Sequence, residues 1–186
     1  MSDIAILKEM IKQSATVSLK DRKGKKQVIL NEPPPADYSV TIDGMPDDDQ
    51  VVVIKADAFT SPQAVFIGSK GECKRADFVI IADTGKKKVI LCIEMKAGKG
   101  ESETDIIGQL KGAKCFVAYC QEIGKLFWNK ENFLKDYEYR FVSIKNIKLN
   151  KTATRFNPTA HFFSDIQILK RSGSYFQFND LIQGKR

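Results

Sequence analysis

The stretch RADFVIIADTGKKKVILCIEMK, residues 75–96, decides how this chain folds. It contains two apolar runs, RADFVIIAD (75–83) and KVILCIEMK (88–96), joined by the polar segment TGKK. Runs of this length that are rich in Val and Ile predict β-strands, and a four-residue segment containing glycine predicts a hairpin loop. We therefore expect an antiparallel pair of strands at the centre of the fold.

The short loop also sets which residues of the hairpin face each other. If Asp83 and Lys88 close the loop as a pair, Asp77 falls directly opposite Glu94. Directly opposed residues on one face of a sheet have Cβ atoms about 4.5 to 5.5 Å apart. Two carboxylates at that separation repel each other unless they share a divalent cation.

The end of the second run, CIEMK, places charge after the most apolar stretch of the chain. Burying a charge without a partner costs several kcal/mol, so Glu94 and Lys96 must be paired, metal-bound or at the mouth of a cleft. Because side chains alternate along a strand, Lys96 lies on the same face as Glu94. Ile93 and Met95 are then predicted to point the other way, into a core.

A helix is predicted to follow the hairpin, over residues 102–124. Ser102 with Asp105 three residues later resembles a capping box, and Gly98 and Gly100 allow the chain to turn before it. Gln109 falls within the apolar arc of this helix and needs a hydrogen-bonding partner near the sheet. The arc consists of Ile106, Leu110, Ala113, Phe116, Val117 and Cys120.

The rest of the chain gives a mixed α/β pattern without a repeat or a second-domain linker. We predict a single domain over residues 1–186, with a mixed sheet, a first helix on one side and the 102–124 helix on the other. The remaining elements are a first helix at 3–14, a hairpin of TVSLKD and KQVILNE around RKGK, strands YSVTID, QVVVIK, AVFI and EYRFVSIK, and a C-terminal hairpin of SDIQILK and SYFQFNDL.

Composition narrows the class of protein. The 186 residues include 42% hydrophobic and 28% charged residues, which is typical of a globular protein, and no apolar run approaches a membrane span. We expect no membrane association and a cytoplasmic location. The formal charge of +7 favours a polyanionic partner. The four cysteines lack metal-ligand spacing and are interpreted as reduced core residues.

Two carboxylates and a lysine on one sheet edge of a basic protein suit phosphodiester cleavage. The acids can hold Mg²⁺, which polarises a phosphate and lowers the pKa of a bound water, and Mn²⁺ can substitute for it. The lysine can orient that water or stabilise the developing negative charge.

The segments RADFVII, IEMK and GQLKGAK resemble the PD-(D/E)XK nuclease superfamily, whose members carry an acid, an E-x-K tripeptide on the next strand and a following helix that often bears glutamine. The resemblance covers about residues 72–120 and an N-terminal helix. It implies a restriction-endonuclease-like mixed β-sheet flanked by helices. Ala76 stands where proline is nominal, and Q-L-K-G-A differs from the Q-x-x-x-Y of exonuclease-like members.

The resemblance implies a role for each matching residue. Asp77 and Glu94, joined by the backbone carbonyl of Met95, would be metal ligands, and Lys96 would be the catalytic lysine. Gln109 would steady the site or touch the scissile backbone. Glu9 is the candidate for the acid that such proteins often carry on their first helix. The implied activity is Mg²⁺-dependent hydrolysis of DNA by an endonuclease in defence or repair, with RNA not excluded as a substrate.

Blander interpretations remain open at each of these residues. Asp77, Glu94 and Lys96 could form an ordinary cross-strand ion-pair cluster, which contributes little to stability. Gln109 could cap a carbonyl in the core, and Glu9 could face solvent. The main alternative function is a catalytically silent, nuclease-like subunit that binds nucleic acid inside a larger complex. A homodimer is a further possibility, since it would suit cleavage of both strands.

Overall fold

The computed structural model describes residues 1–34, 37–96, 102–145, 159–163 and 166–183. Within these ranges, ten strands form two mixed sheets, against which three α-helices pack. The strands are β1 (Lys20–Arg22), β2 (Lys25–Glu32), β3 (Tyr38–Met45), β4 (Val51–Lys55), β5 (Phe78–Asp83), β6 (Lys88–Lys96), β7 (Glu138–Lys145), β8 (Thr159–Phe163), β9 (Ile166–Ser172) and β10 (Tyr175–Gln177). The helices are α1 (Asp3–Met10), α2 (Glu103–Trp128) and α3 (Phe178–Ile182).

The larger sheet has the strand order β4-β5-β6-β7-β9-β8, with β5 and β6 near its centre. These two strands form the antiparallel hairpin expected from the sequence, and Asp83 pairs with Lys88 as predicted. Strand β6 then pairs in parallel with β7, after the chain has crossed over through α2. The predicted register of the central hairpin is therefore confirmed.

The smaller sheet has the order β1-β2-β3-β10, so the prediction of one sheet was wrong. The β1–β2 hairpin around RKGK is confirmed, with Lys23 and Gly24 at positive φ in its turn. The predicted C-terminal hairpin does not form, because β9 pairs with β7 and β8 while β10 pairs with β3. Between them, Gly173 at φ +114° redirects the chain from the larger sheet to the smaller one.

Two apolar cores lie on opposite faces of the larger sheet. The first core contains residues of both α1 and α2, packed on Val79, Ile81 and Ile90 of the hairpin. The two helices therefore share one face, and the prediction that they flank the sheet on opposite sides was wrong. The other face is covered by β2, β3 and α3, which bury the alternate hairpin residues Ile80 and Leu91.

Helix α2 follows its predicted pattern and extends further. Ser102 accepts a hydrogen bond from the backbone N–H of Asp105, as in a capping box, and Asn129 ends the helix in the left-handed conformation. All members of the predicted apolar arc are buried. At Gly112, an added Cβ would lie 2.0 Å from the carbonyl oxygen of Lys74, so only glycine allows the preceding loop to approach the helix this closely.

Four smaller predictions also need revision or lie beyond the described residues. Helix α1 ends at Met10 rather than residue 14, because Ile11 has extended backbone angles. AVFI is not a strand: Pro62–Ala64 form a 3₁₀ turn and the residues that follow have no pairing partner within the described ranges. Cys115 is exposed, although the other three cysteines are buried and all four are free. The turn proposed at Gly98 and Gly100 lies outside the described residues.

None of the helices in the described ranges combines the length and the apolarity that a membrane span needs.

Candidate active site

The candidate site lies where the β5–β6 hairpin opens, at the end opposite its loop. Phe78 and Ile93 form the last pair of the ladder, and the same register sets Asp77 opposite Glu94 at the next position. The Asp77 carboxylate accepts a hydrogen bond of 2.6 Å from the backbone N–H of Met95. Beyond the last pair of the ladder, the Asp77 side chain therefore replaces the backbone of β5 as the hydrogen-bond acceptor for β6.

Glu94 and Lys96 form an ion pair on the face of the sheet that carries α1 and α2. The Glu94 side chain is fully buried, and its Oε1 lies 2.7 Å from Nζ of Lys96, whose side chain is 23% exposed. Ile93 and Met95 are buried in the core on the other face, as the alternation predicted. The end of β6 therefore carries a buried carboxylate, Glu94, whose ion-pair partner Lys96 is partly exposed to solvent.

Tyr38 of the smaller sheet also contacts this strand end. Its hydroxyl donates a hydrogen bond of 2.8 Å to the backbone carbonyl of Met95. The N–H and C=O of one residue in a strand point to the same side, so both polar groups of Met95 face Asp77 and Tyr38. The two sheets are joined here by a polar contact to the residue between Glu94 and Lys96.

Two further acids, which sequence reasoning missed, lie beside Asp77. Glu32 ends β2, directly paired with Tyr38 on β3, and its carboxyl group lies close to that of Asp77. Asp57, in the 3₁₀ turn after β4, is close enough to act electrostatically on both carboxyl groups. Alternation could have indicated Glu32, because it continues the inward positions Val28 and Leu30 of its strand.

The clustered carboxyl groups change one another's acidity. Burial, together with repulsion from Glu32 and Asp57, raises the pKa of Asp77 to about 7, although the Met95 N–H opposes the rise. Burial and repulsion from Asp57 also raise the pKa of Glu32. The Tyr38 pKa is raised by burial and by the neighbouring acids. A positive charge placed among these groups would relieve their repulsion.

Two buried polar groups without a hydrogen-bond partner among the described residues lie on the elements that flank Glu94. The side-chain oxygen of Gln109, on α2, is buried and unsatisfied in this sense. The hydroxyl of Ser143 is also buried without a hydrogen-bond partner among the described residues. Ser143, on β7, pairs with Glu94 in the parallel ladder between β6 and β7. Nearby, Lys170 of β9 forms an ion pair with Glu103 in the first turn of α2. The site end of the helix is therefore tied to the same side of the sheet.

Glu9 does not join these residues, so this part of the predicted site needs correction. Its carboxylate accepts a hydrogen bond of 3.0 Å from the indole N–H of Trp128, at the last turn of α2. Gln109 and Trp128 are separated along the helix axis by about 28 Å, at about 1.5 Å per residue. The reason is that α1 packs near the loop end of the hairpin, whereas Asp77 and Glu94 lie at its open end.

The donor atoms at the open end of the hairpin are oxygens, the kind of ligand that Mg²⁺ binds. In the described part of the chain, no three or more Asp, Glu, His or Cys side chains are arranged to hold a metal ion. The predicted donors are the carboxylates of Asp77 and Glu94 and the carbonyl of Met95, all of them hard oxygen ligands. Such a set fits Mg²⁺, which usually keeps several waters and takes only one or two carboxylates from the protein.

Comparison with known proteins identified no relative of this chain. No protein-family model, no curated protein and no solved structure matches this chain.

Proposed function

We propose that this protein is a Mg²⁺-dependent nuclease that hydrolyses phosphodiester bonds in DNA, of the PD-(D/E)XK type. The observation that carries the proposal is the open end of the hairpin, where Asp77 accepts a hydrogen bond from the N–H of Met95 and Lys96 pairs with Glu94. An acid, a second acid and a lysine on one face are the groups that metal-assisted phosphodiester hydrolysis uses.

Three groups of the chain would hold the ion. These are the carboxylates of Asp77 and Glu94 and the carbonyl of Met95. Bound Mg²⁺ supplies a Lewis acid that polarises the phosphate and lowers the pKa of a coordinated water. Tyr38 fixes the Met95 carbonyl from the smaller sheet, so the donor groups are held before the ion arrives.

Lys96 is suited to act on the phosphate itself. Its side chain is partly exposed while its ammonium group touches a fully buried carboxylate. The ammonium can therefore donate hydrogen bonds outward, to an attacking water or to an oxygen on which negative charge develops. The charge of +7 on the whole chain would attract the polyanionic substrate.

A nuclease-like subunit that binds nucleic acid without cutting is the second candidate. It is favoured by one observation, namely that Lys96 and Tyr38 engage Glu94 and the Met95 carbonyl, two of the proposed ligands. Such internal pairing would also stabilise a site that no longer binds metal. Assembly as a homodimer or within a larger complex remains a prediction for either candidate.

The test is incubation of the purified protein with supercoiled, linear and single-stranded DNA and with RNA, in Mg²⁺, in Mn²⁺ and in EDTA. We expect cleavage that needs the divalent ion and that Glu94→Ala and Lys96→Ala abolish. Asp83→Ala and Lys88→Ala are matched controls, because they remove an acid and a lysine from the other end of the same strands. Tight DNA binding without cleavage under every condition would favour the silent subunit instead.

A further inference from the structure

The loop between β4 and β5 displays three consecutive apolar side chains to solvent. Val65, Phe66 and Ile67, here called the loop tip, are 78%, 54% and 94% exposed. A run of exposed apolar residues is unfavourable in water and usually marks a surface that contacts something else. We therefore expect the loop tip to contact a binding partner.

The loop is held in shape by its own hydrogen bonds. The Glu72 carboxylate accepts from the backbone N–H groups of Gly68, at 2.9 Å, and Lys70, at 2.8 Å. The Ser61 hydroxyl donates to the carbonyl of Cys73 at 2.9 Å, which joins the two sides of the loop. The loop tip is thus presented on an ordered support, which lowers the entropy cost of binding through it.

The returning side of the loop packs on α2 beside the candidate active site. An added Cβ at Gly108 would lie 2.9 Å from Cδ of Lys74, so the loop touches the helix one residue before Gln109. Three residues after Lys74 the chain reaches Asp77. The base of the loop therefore lies next to the segment that carries Asp77.

Aromatic rings continue the apolar surface at the base of the loop. The Phe59 ring lies 5.4 Å from that of Phe116 and 5.8 Å from that of Tyr119, which is exposed on α2. The guanidinium of Arg75 lies 5.0 Å from the centre of the Phe59 ring. Flat rings and a guanidinium plane of this kind are the groups on which nucleic-acid bases stack.

The charge around the loop tip favours a polyanion. Lys70 and Lys111 are exposed on the loop and on α2, and Arg75 is half-buried. Glu72, the acid nearest to the loop tip in sequence, already accepts hydrogen bonds from the loop backbone. A second copy of this chain docked on the same patch would bring like charges together, whereas a nucleic acid offers both phosphates and apolar bases.

We propose that the loop tip contacts unpaired bases, and that this protein prefers nucleic acid with unpaired nucleotides next to the point of cleavage. Phe66 and Ile67 stack on the bases or insert between them, while Lys70, Arg75 and Lys111 contact the phosphates. This inference rests on the proposed nuclease function and adds the structural form of its substrate.

The test measures binding in EDTA, so that no cleavage occurs. The probes are a fluorescently labelled single-stranded DNA oligonucleotide, its duplex, and an RNA strand of the same sequence. We expect tighter binding to single strands than to duplex, and a loss of about fivefold or more in single-strand affinity for Phe66→Ala and for Ile67→Ser. Duplex affinity should change by less than about twofold, since phosphate contacts remain.

A matched control removes an exposed aromatic ring far from the loop. Phe127→Ala, in the last turn of α2, should leave single-strand affinity unchanged. As a second readout, the fluorescence of 2-aminopurine placed in the single strand should change on binding to the wild type and change less with Phe66→Ala. Because these side chains are exposed, circular dichroism spectra and melting temperatures should match the wild type.

Different failures have different meanings. Equal affinities of the wild type and the loop-tip variants for single strands would overturn this inference and leave the nuclease proposal intact. An equal loss of affinity for single strands and for duplex in the loop-tip variants would also overturn this inference and leave the nuclease proposal intact. Self-association in sedimentation that Phe66→Ala abolishes, without a change in DNA affinity, would reassign the loop tip to a contact between copies. A wild type that neither binds nor cuts any nucleic acid would overturn both proposals.

Discussion

The two ends of the β5–β6 hairpin carry the same kinds of residue in different surroundings. At the loop end, Asp83 and Lys88 are 31% and 42% exposed, and their charged atoms are 4.0 Å apart. At the open end, Glu94 is fully buried and lies 2.7 Å from a lysine that is 23% exposed. Both pairs were visible in the sequence, and the structure distinguishes them by burial and by the distance between the charges.

The difference shows why an acid and a lysine are not by themselves a site. An exposed pair is screened by water and contributes about 0 to 1 kcal/mol. A buried pair has lost its hydration, so each charge depends strongly on its neighbours and on any ion that joins them. At the open end, Glu32 and Asp57 also repel Asp77 and contribute to its raised pKa.

The largest expected contrast is catalytic. Asp77→Asn should lower the rate of DNA cleavage in Mg²⁺ by about a hundredfold or more, because it removes the charge of a proposed metal ligand. Asp83→Asn makes the same change at the loop end and should leave the rate unaltered. The measurement is the initial rate of plasmid cleavage at matched protein concentration. Equal rates for the two variants would remove Asp77 from the proposed machinery.

A second contrast concerns stability. Lys96→Met should lower the free energy of unfolding by about 3 kcal/mol, because it leaves the buried Glu94 carboxylate without the cation beside it. Lys88→Met should cost less than about 1 kcal/mol, since its pair is exposed. Urea denaturation of both variants at neutral pH measures the difference. Similar losses would show that burial does not distinguish the two pairs.

The pH dependence of stability gives a third contrast. The pKa of Asp77 is raised from 3.8 to about 7 by burial, so folding stabilises its protonated form. That contribution is fully present below about pH 4 and is lost as the pH rises through about 7. Relative to Asp77→Asn, the metal-free wild type should therefore lose more than about 1 kcal/mol of stability across this interval.

Urea midpoints of the two proteins, taken in EDTA at several pH values, provide the comparison. Asp83→Asn serves as the reference variant at the loop end. A constant difference between the wild type and Asp77→Asn at all pH values would contradict the raised pKa.

The smallest expected effect comes from Tyr38. Tyr38→Phe removes a single neutral hydrogen bond to the Met95 carbonyl and should cost about 1 kcal/mol of stability. Because that carbonyl is a proposed ligand, the Mg²⁺ concentration needed for half-maximal cleavage should also rise severalfold. Tyr175→Phe removes a hydrogen bond to Asp43 in the same sheet and should leave the Mg²⁺ requirement unchanged. An identical Mg²⁺ titration for both variants would make Tyr38 purely structural.

Local rules were sufficient for the central hairpin. The loop length set the pairing of Asp83 with Lys88, and alternation then placed Glu94 and Lys96 on one face and Met95 on the other. Helical periodicity likewise found the buried face of α2. These features depend on residues close together in sequence, where geometry leaves few choices.

Contacts between distant segments could not be predicted in the same way. Nothing within KQVILNE or YSVTID shows that Glu32 and Tyr38 meet Asp77 and Met95, because that meeting depends on how the two sheets pack. The predicted positions of α1, of Glu9 on that helix and of β10 were wrong for the same reason. Each of these errors assigned a correct or nearly correct element to the wrong neighbour.

The parallel pairing of β10 with β3 bears on the order in which the molecule can be completed. The Tyr175 hydroxyl donates to Asp43, 132 positions earlier, so this sheet closes through one of the most distant contacts in the chain. Contacts of such separation form slowly. During synthesis, β3 can gain this neighbour only after β10 has left the ribosome, so the smaller sheet, which carries Glu32 and Tyr38, is completed late.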